Sequence, residues 1–303
     1  MLKSVGQQGR LKARKFLKAA VSAFCVCVLA GWLAAGEAQA APGQSLRIGT
    51  TSYTGKRDNI WETLLSHLQV KLNAKLELVR ANDFPQILAL LKDRKIDFAY
   101  LTPFDYLQAS RQVGIEALAV QMLPDGKPGY YSVLVTKKSS GIQTLEQAKG
   151  KTLGVVARDS VSGFEVQAWA LNQELKLPLS AYFQKPVFAG THLKVIQGLQ
   201  KGDFEVGATN TKDLKNSSKL LGLDPAGFNV IWKSGFIPES VFAARKELPA
   251  DLKTSFANAL FSLNGNKEEL TALNIGGYAR PGDVDFSLIK GLDAYLQKNK
   301  LAY

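Results

Sequence analysis

Strand-like and helix-like stretches alternate along this chain in two successive series, which limits the fold to an α/β architecture with two wound units. The first series begins with LRIGT at Leu46 to Thr50 as a strand. Ile60 to Leu72 follows as a helix, with Ile60, Leu64, Leu65 and Leu68 at helical spacing. Leu76 to Val79 reads as a strand and Phe84 to Leu91 as a helix, which Asn82 or Asp83 can cap. Asp97 to Leu101 (DFAYL) is the third strand and Phe104 to Gln112 the next helix. After a β-rich strand, Tyr130 to Lys137, the pattern restarts. Strands are expected at Thr152 to Val156, Val187 to Phe188 and Phe204 to Ala208, with helices at Gly163 to Glu174 and Thr191 to Gln200. Asn229 to Trp232 and Val241 to Ala244 return in extended form, and the tail is mainly helical to Leu296. A second wound unit set between an early one and a returning tail predicts two lobes joined by two strand crossings. The boundaries expected are residues 45–137 plus 240–303 for lobe 1 and 138–239 for lobe 2. Such lobes can hinge about a ligand held between them.

The first 40 residues read as a targeting segment. Residues 1–18 carry Lys3, Arg10, Lys12, Arg14, Lys15 and Lys18 and no acid. An apolar run from Ala19 to Ala35 and the small-residue end Ala38-Gln39-Ala40 complete the plan of a cleavable secretory signal. Retention as a single-span anchor is the alternative. Both cysteines, Cys25 and Cys27, lie inside this segment, so the exported chain would have no disulfide and no thiol nucleophile. Removing residues 1–40 lowers the net charge from +12 to +7, so part of the basicity belongs to targeting. The surplus that remains suits an anionic ligand, and without a basic run outside the signal there is no nucleic-acid signature. The remaining 263 residues are enough for two lobes with cores of their own.

Four strand-to-helix loops carry the candidate chemistry. Asp159-Ser160-Val161-Ser162-Gly163-Phe164 offers hydroxyls and backbone N–H groups at a helix start, where the dipole favours an anion. Gly163 lets a ligand approach the backbone closely, while plain capping by Ser160 or Ser162 is the structural alternative. Thr50-Thr51-Ser52-Tyr53 and the run from Tyr100 through Thr102 to Tyr106 stand at equivalent strand ends, so Ser52, Tyr53, Thr102 and Tyr106 join the candidate ligand set. His192 opens a helix after Gly190-Thr191 and can aim a ring N–H at an anion; His67, the other histidine, is assigned to a helix surface. No G-x-S-x-G elbow, H-E-x-x-H zinc motif, Walker loop or G-x-G-x-x-G fingerprint occurs. The sequence therefore reads as a binding protein and not an enzyme, with no catalytic residues, cofactor or metal expected.

An ordered set of motifs then resembles the periplasmic phosphate, phosphite and phosphonate-binding proteins. It comprises KIDFAYLTPFDY from Lys95, DGKPGYYSV from Asp125, the Ser140 to Thr152 stretch, Asp159 to Phe164, Gly190-Thr191-His192, and Trp232-Lys233-Ser234 with Ile237-Pro238. The resemblance implies the two-lobed periplasmic binding-protein fold (type II, Venus-flytrap), a periplasmic monomer, and delivery of a small oxyanion to an ABC transporter permease. It implies that Ser160, Ser162 and His192 hold the phosphoryl oxygens, with the loop after Asp97 to Leu101 closing from the other lobe. Departures stand at Val161, where the family's loop has a Thr, and at Phe84 and near Leu101, where some members have Tyr. Where aminoalkylphosphonate binders hold the amine with two acids, this chain has Lys212 and, near the second, Ser240 with Glu239 beside it. A cation there disfavours an ammonium-bearing ligand. A module of the same fold that feeds a membrane sensor, and an enzyme resembling a thiamine-pyrimidine synthase, are the competing readings.

Overall fold

The computed structural model describes residues 45–51 and 58–299. The expected signal segment, residues 1–40, and the candidates Ser52 and Tyr53 lie outside these residues. Two mixed sheets, each sandwiched between helices, make up the architecture.

The first sheet runs in the order β11-β4-β10-β3-β1-β2. Its strands are β1 (Ser45–Thr51), β2 (Lys75–Ala81), β3 (Phe98–Leu101), β4 (Ile115–Met122), β10 (Val241–Arg245) and β11 (Gly277–Ala279). β1 pairs in parallel with β2 and β3, and β10 enters antiparallel between β3 and β4. The period-two alternation of a two-sided sheet is plain in β10. Phe242 and Ala244 enter the core that contains Trp61, Leu68 and Phe256, while Val241 and Ala243 face the one that contains Ile87, Leu91 and Ile96. Helices α1 (Asp58–Leu72) and α8 (Ala250–Phe261) supply the first core, and α2 (Phe84–Lys92) and α3 (Pro103–Val113) the second. Buried Asp97 stitches three strands at the edge of this sheet. It accepts the Arg47 N–H at 2.9 Å and an Arg245 guanidinium N–H at 2.9 Å.

The second sheet runs β7-β6-β8-β5-β9, from β5 (Gly129–Lys137), β6 (Leu153–Val155), β7 (Val187–Phe188), β8 (Val206–Asn210) and β9 (Phe228–Pro238). β6, β7 and β8 are parallel; β5 is antiparallel to both β8 and β9. Helices α4 (Val166–Leu175), α5 (Leu179–Tyr182), α6 (His192–Lys201) and α7 (Thr211–Leu221) cover it, with Leu134 facing one core and Val133 and Val135 the other.

Three expectations change. The strand beginning at Tyr130 was expected in lobe 1, but β5 lies in the second sheet between β8 and β9, so the first crossing lies between Met122 and Gly129 and not at 137. The reason is β4, an unanticipated strand that completes the first sheet before the chain leaves it. Nor does the tail return wholly to the first lobe. β11 joins the first sheet, whereas α10 (Ser287–Leu296) puts Ile289 and Leu292 into the core of the second, and its Asp293 pairs with Arg111 of α3. Finally, His67 is not on a surface. Its side chain, 8% exposed, joins three helices: Nδ1 meets Glu269 of α9 (Lys267–Leu273) at 2.7 Å, and Nε2 lies 3.0 Å from both the Ala259 carbonyl and the Ser262 hydroxyl at the end of α8.

Candidate functional site

The parallel strands β6 and β8 end at the same edge of the second sheet, where open α/β sheets bind ligands. Beyond β6 the chain passes Ser160 and makes one π turn, Val161–Glu165, before α4 begins. π turns of this kind recur at functional sites. Two bonds hold the turn: Val156 N–H to the Gly163 carbonyl at 3.1 Å and Glu165 N–H to the Ser160 carbonyl at 3.0 Å. The Ser162 carbonyl points inward and accepts from the Ser132 hydroxyl at 3.0 Å and from Gln167 Nε2 at 2.8 Å. Ser162 itself is 5% exposed and presents its hydroxyl to the strand ends.

β8 ends in Thr209 and Asn210, and Asn210 caps α7 by accepting the Asp213 N–H at 2.8 Å. Thr191 caps α6 by accepting the Lys194 N–H, which places His192 at the first helical position. The side chains of these elements meet. His192 Nε2 lies 3.4 Å from Ser162 Oγ and 3.2 Å from Asn210 Nδ2, and His192 Nδ1 lies 3.2 Å from Thr209 Oγ1. Burial lowers the His192 pKa from its ordinary value, Asp213 pulls it partly back, and Lys212 pushes it down again, so the ring is neutral near pH 7.

A charged pair borders this cluster. Lys212, in the first turn of α7, places Nζ 2.5 Å from Glu239 Oε1 and 4.7 Å from the centre of the Tyr130 ring. Burial works against the Lys212 charge, but Glu239, Tyr130 and Asp213 together more than offset it and hold the ammonium above its ordinary range. Burial likewise raises the Tyr130 phenol; Lys212 and a hydrogen bond with Ser162 oppose the shift, while Glu239 and Asp213 add to it. Glu239 stands in the two-residue link between β9 and β10, so the pair ties the second lobe to a crossing between the sheets. A further carboxylate, Glu165, is pushed up to about 7 by burial, with Asp159 and then Asp105 adding to the shift.

The sequence candidates divide. Ser162 and His192 come together as expected. Ser160 is half-buried at the start of the turn and makes no side-chain cap bond, so the capping alternative is not what is seen there. Gly163 is buried, and its reason for being glycine is packing more than ligand approach: a Cβ there would stand 2.3 Å from Val156 Cγ2. Thr102 caps α3, accepting the Asp105 N–H at 3.1 Å, and Tyr106 packs its ring edge-on to Phe286 at 6.0 Å. Among the described residues no hydrogen bond links Thr102 or Tyr106 to the Ser162–His192 cluster. Their helix nonetheless reaches the second lobe, because Phe104 and Leu107 pack on the core of the second sheet. Asn210, Thr209, Gln167 and Tyr130 escaped the sequence reading. For Asn210 a signal existed: Asn ahead of a helix with Asp three residues on is a capping signature. Among the described residues no group of His, Cys, Asp and Glu is placed to hold a metal ion, and no helix is long and apolar enough to cross a membrane.

Comparison with known proteins gives consistent results. A family profile described as "ABC transporter, phosphonate, periplasmic substrate-binding protein" matches residues 48–286. The phosphonates-binding periplasmic protein of Escherichia coli is 26% identical over 223 residues, 72% of this chain and 65% of that protein, so the match spans just under two thirds of that relative's length. The phosphate-import protein PhnD of Mycolicibacterium smegmatis is 27% identical over 268 residues, covering 82% of this chain and 83% of that one. Among solved structures, PhnD1 from Prochlorococcus marinus in complex with methylphosphonate superposes with a TM-score of 0.67 at 16% identity, covering 84% of this chain and 99% of that chain. The shared architecture is the two-lobed α/β fold of periplasmic binding proteins, and the family is one of binding proteins and not enzymes. With its profile match running across both sheets, the chain belongs to the family of periplasmic substrate-binding proteins of phosphonate ABC transporters.

Proposed function

We propose that this protein captures a small tetrahedral phosphorus oxyanion in the periplasm and delivers it to an ABC transporter permease, the lobes closing about the ligand by a hinge. The observation that carries this reading is the convergence of Ser162, His192, Asn210 and Lys212 at the ends of β6 and β8, beside Tyr130. Hydroxyl and amide donors next to a lysine match the needs of an oxyanion. The printed names of the relatives, phosphonates-binding and phosphate-import, and the methylphosphonate bound to the Prochlorococcus protein, support the same ligand class. Phosphate, phosphite and simple phosphonates are all candidates. An aminoalkylphosphonate fits poorly. Lys212 already occupies Glu239, a buried carboxylate beside the cluster, so that group is not free to take an ammonium group.

A thermal-shift panel of phosphate, phosphite, methylphosphonate, 2-aminoethylphosphonate and sulfate tests the reading, since a ligand bound only by the folded state raises Tm. One or more of the first three should shift Tm strongly and 2-aminoethylphosphonate should not. The companion variant is Ser162→Ala, because a bulky residue at this buried position would cost stability by overpacking. Loss of one hydrogen bond to a charged ligand should weaken binding by about 10- to 100-fold. Unchanged affinity in Ser162→Ala would remove the site; a flat panel would remove the ligand class.

A further inference from the structure

The hydrogen-bond polarity of His192 carries a consequence for which oxyanions this site accepts, and it rests on the oxyanion reading above. The Asn210 amide is oriented unambiguously. Its Oδ1 accepts the Asp213 backbone N–H at 2.8 Å, so the opposite end is the NH2 group, which donates to Asp213 Oδ2 at 2.8 Å. The second amide hydrogen is left for Ser162 Oγ at 3.4 Å or His192 Nε2 at 3.2 Å. A hydrogen on Nε2 would face that NH2 group donor against donor. The ring proton therefore sits on Nδ1 and is donated to the buried Thr209 hydroxyl at 3.2 Å, while Nε2 is an acceptor.

Among the described residues, the charged and titratable groups facing this ring are Asp213 and Lys212 from α7, with Tyr130 from β5 across Ser162. Asp213 alone favours an imidazolium; burial and Lys212 oppose it. A second proton on the ring would also collide with the Asn210 amide. With its proton on Nδ1, the ring offers the ligand an acceptor at Nε2 and not the N–H donor that the sequence suggests.

We propose that this site selects a tetrahedral oxyanion that carries its own proton, the ligand's O–H donating to His192 Nε2 while its charged oxygens take the Ser162 hydroxyl. In the structure the Ser162 hydroxyl and His192 Nε2 satisfy each other; the bound ligand inserts between them, accepting from the first and donating to the second. Phosphonate, phosphite and phosphate ionise close enough to neutrality to hold such a proton. Sulfate does not, and its oxygen lone pairs would face the lone pair of Nε2. Sites built to pair a ligand hydroxyl reject analogues lacking it by about 10³-fold or more.

The test is calorimetric titration of the purified protein with methylphosphonate, phosphate and sulfate from about pH 6 to about pH 9, alongside ¹⁵N NMR of its histidines. If only a ligand bearing a proton binds, the Kd of methylphosphonate rises about tenfold per pH unit above its last ionisation, whereas that of phosphate, which keeps a proton across this range, stays nearly constant. At the acid end sulfate should bind at least about 10³-fold more weakly than methylphosphonate, and His192 in the bound protein should show the neutral, Nδ1–H form. The chain has two histidines, so the His192 signals are separable from those of His67. Sulfate binding that approaches phosphonate binding at the acid end, or an imidazolium in the bound state, would overturn the proton selection while leaving the oxyanion reading in place. No binding of methylphosphonate or phosphate at any pH would overturn both.

Discussion

Replacing Lys212 with Met should be among the most damaging single changes at the site, and the structure says by how much. The Glu239 side chain is 6% exposed, and its Oε1 meets the Lys212 ammonium at 2.5 Å. Among the described residues, the carboxylate without that ammonium keeps only the Ser240 N–H, at 3.1 Å on Oε2, as a hydrogen-bond partner. Breaking a buried pair from one side costs about 3–5 kcal/mol, because one charge is left uncompensated out of water. Glu239→Gln should cost less, about 1–2 kcal/mol, because the Lys212 side chain is 32% exposed and water can reach the orphaned ammonium. Changing both residues removes both desolvation penalties, so the double variant should lie within about 1 kcal/mol of the parent. Urea denaturation of the four proteins closes this cycle, and Tm should move by about 2–4 °C per kcal/mol for a chain of this size. Glu239→Gln also leaves a free ammonium beside Ser162 and His192, so methylphosphonate should bind to it several-fold more tightly. Equal, small effects of the two single changes, adding without interaction in the double variant, would refute the buried-pair argument.

Two further outcomes follow from the turn that carries Ser162. Gly163→Ala forces a Cβ to within 2.3 Å of Val156 Cγ2 and 2.8 Å of Ser160 Oγ; it should cost about 1–3 kcal/mol and weaken ligand binding as the turn shifts, and parental values in both assays would contradict it. Glu165, held at about 7 against an ordinary 4.5 by burial and by Asp159 and Asp105, binds its proton more tightly in the folded chain. Its contribution is therefore favourable at acid pH and is lost as pH rises from 4.5 to about 7. For a half-buried group this amounts to about 1–3 kcal/mol, so Glu165→Gln should exceed the parent in stability above neutral pH and lose the advantage near pH 4.5; urea midpoints that differ equally at both ends would count against it.

Much of the fold could be read in advance because its cause is local. The two β-α series carry their periodicity on the surface of the sequence, and Asp83 caps the helix expected of it, while Thr102, read as a ligand candidate, caps another. What escaped depends on pairing at long range. β5 has the composition of any strand, and only its partners, β8 and β9, assign it to the second sheet. His67 looked peripheral because its partners, Glu269, Ala259 and Ser262, lie some 200 residues along the chain. The site was half visible for the same reason. Ser162 and His192 stand out as polar residues at strand ends, whereas the polarity of His192 is set by Asn210 and Thr209, which no spacing connects to it.

The last helix gives the molecule a third strap. The chain passes between the sheets after β4 and after β9, and again when it leaves β11 to lay Ile289 and Leu292 of α10 on the second core. Two bodies joined by two short ribbons can both bend and twist; a third attachment away from those ribbons resists torsion and leaves bending as the soft coordinate. Any opening of this protein should then be a one-parameter motion. A single pair of fluorophores, one on each sheet's outer helices, would report the whole of it as one distance.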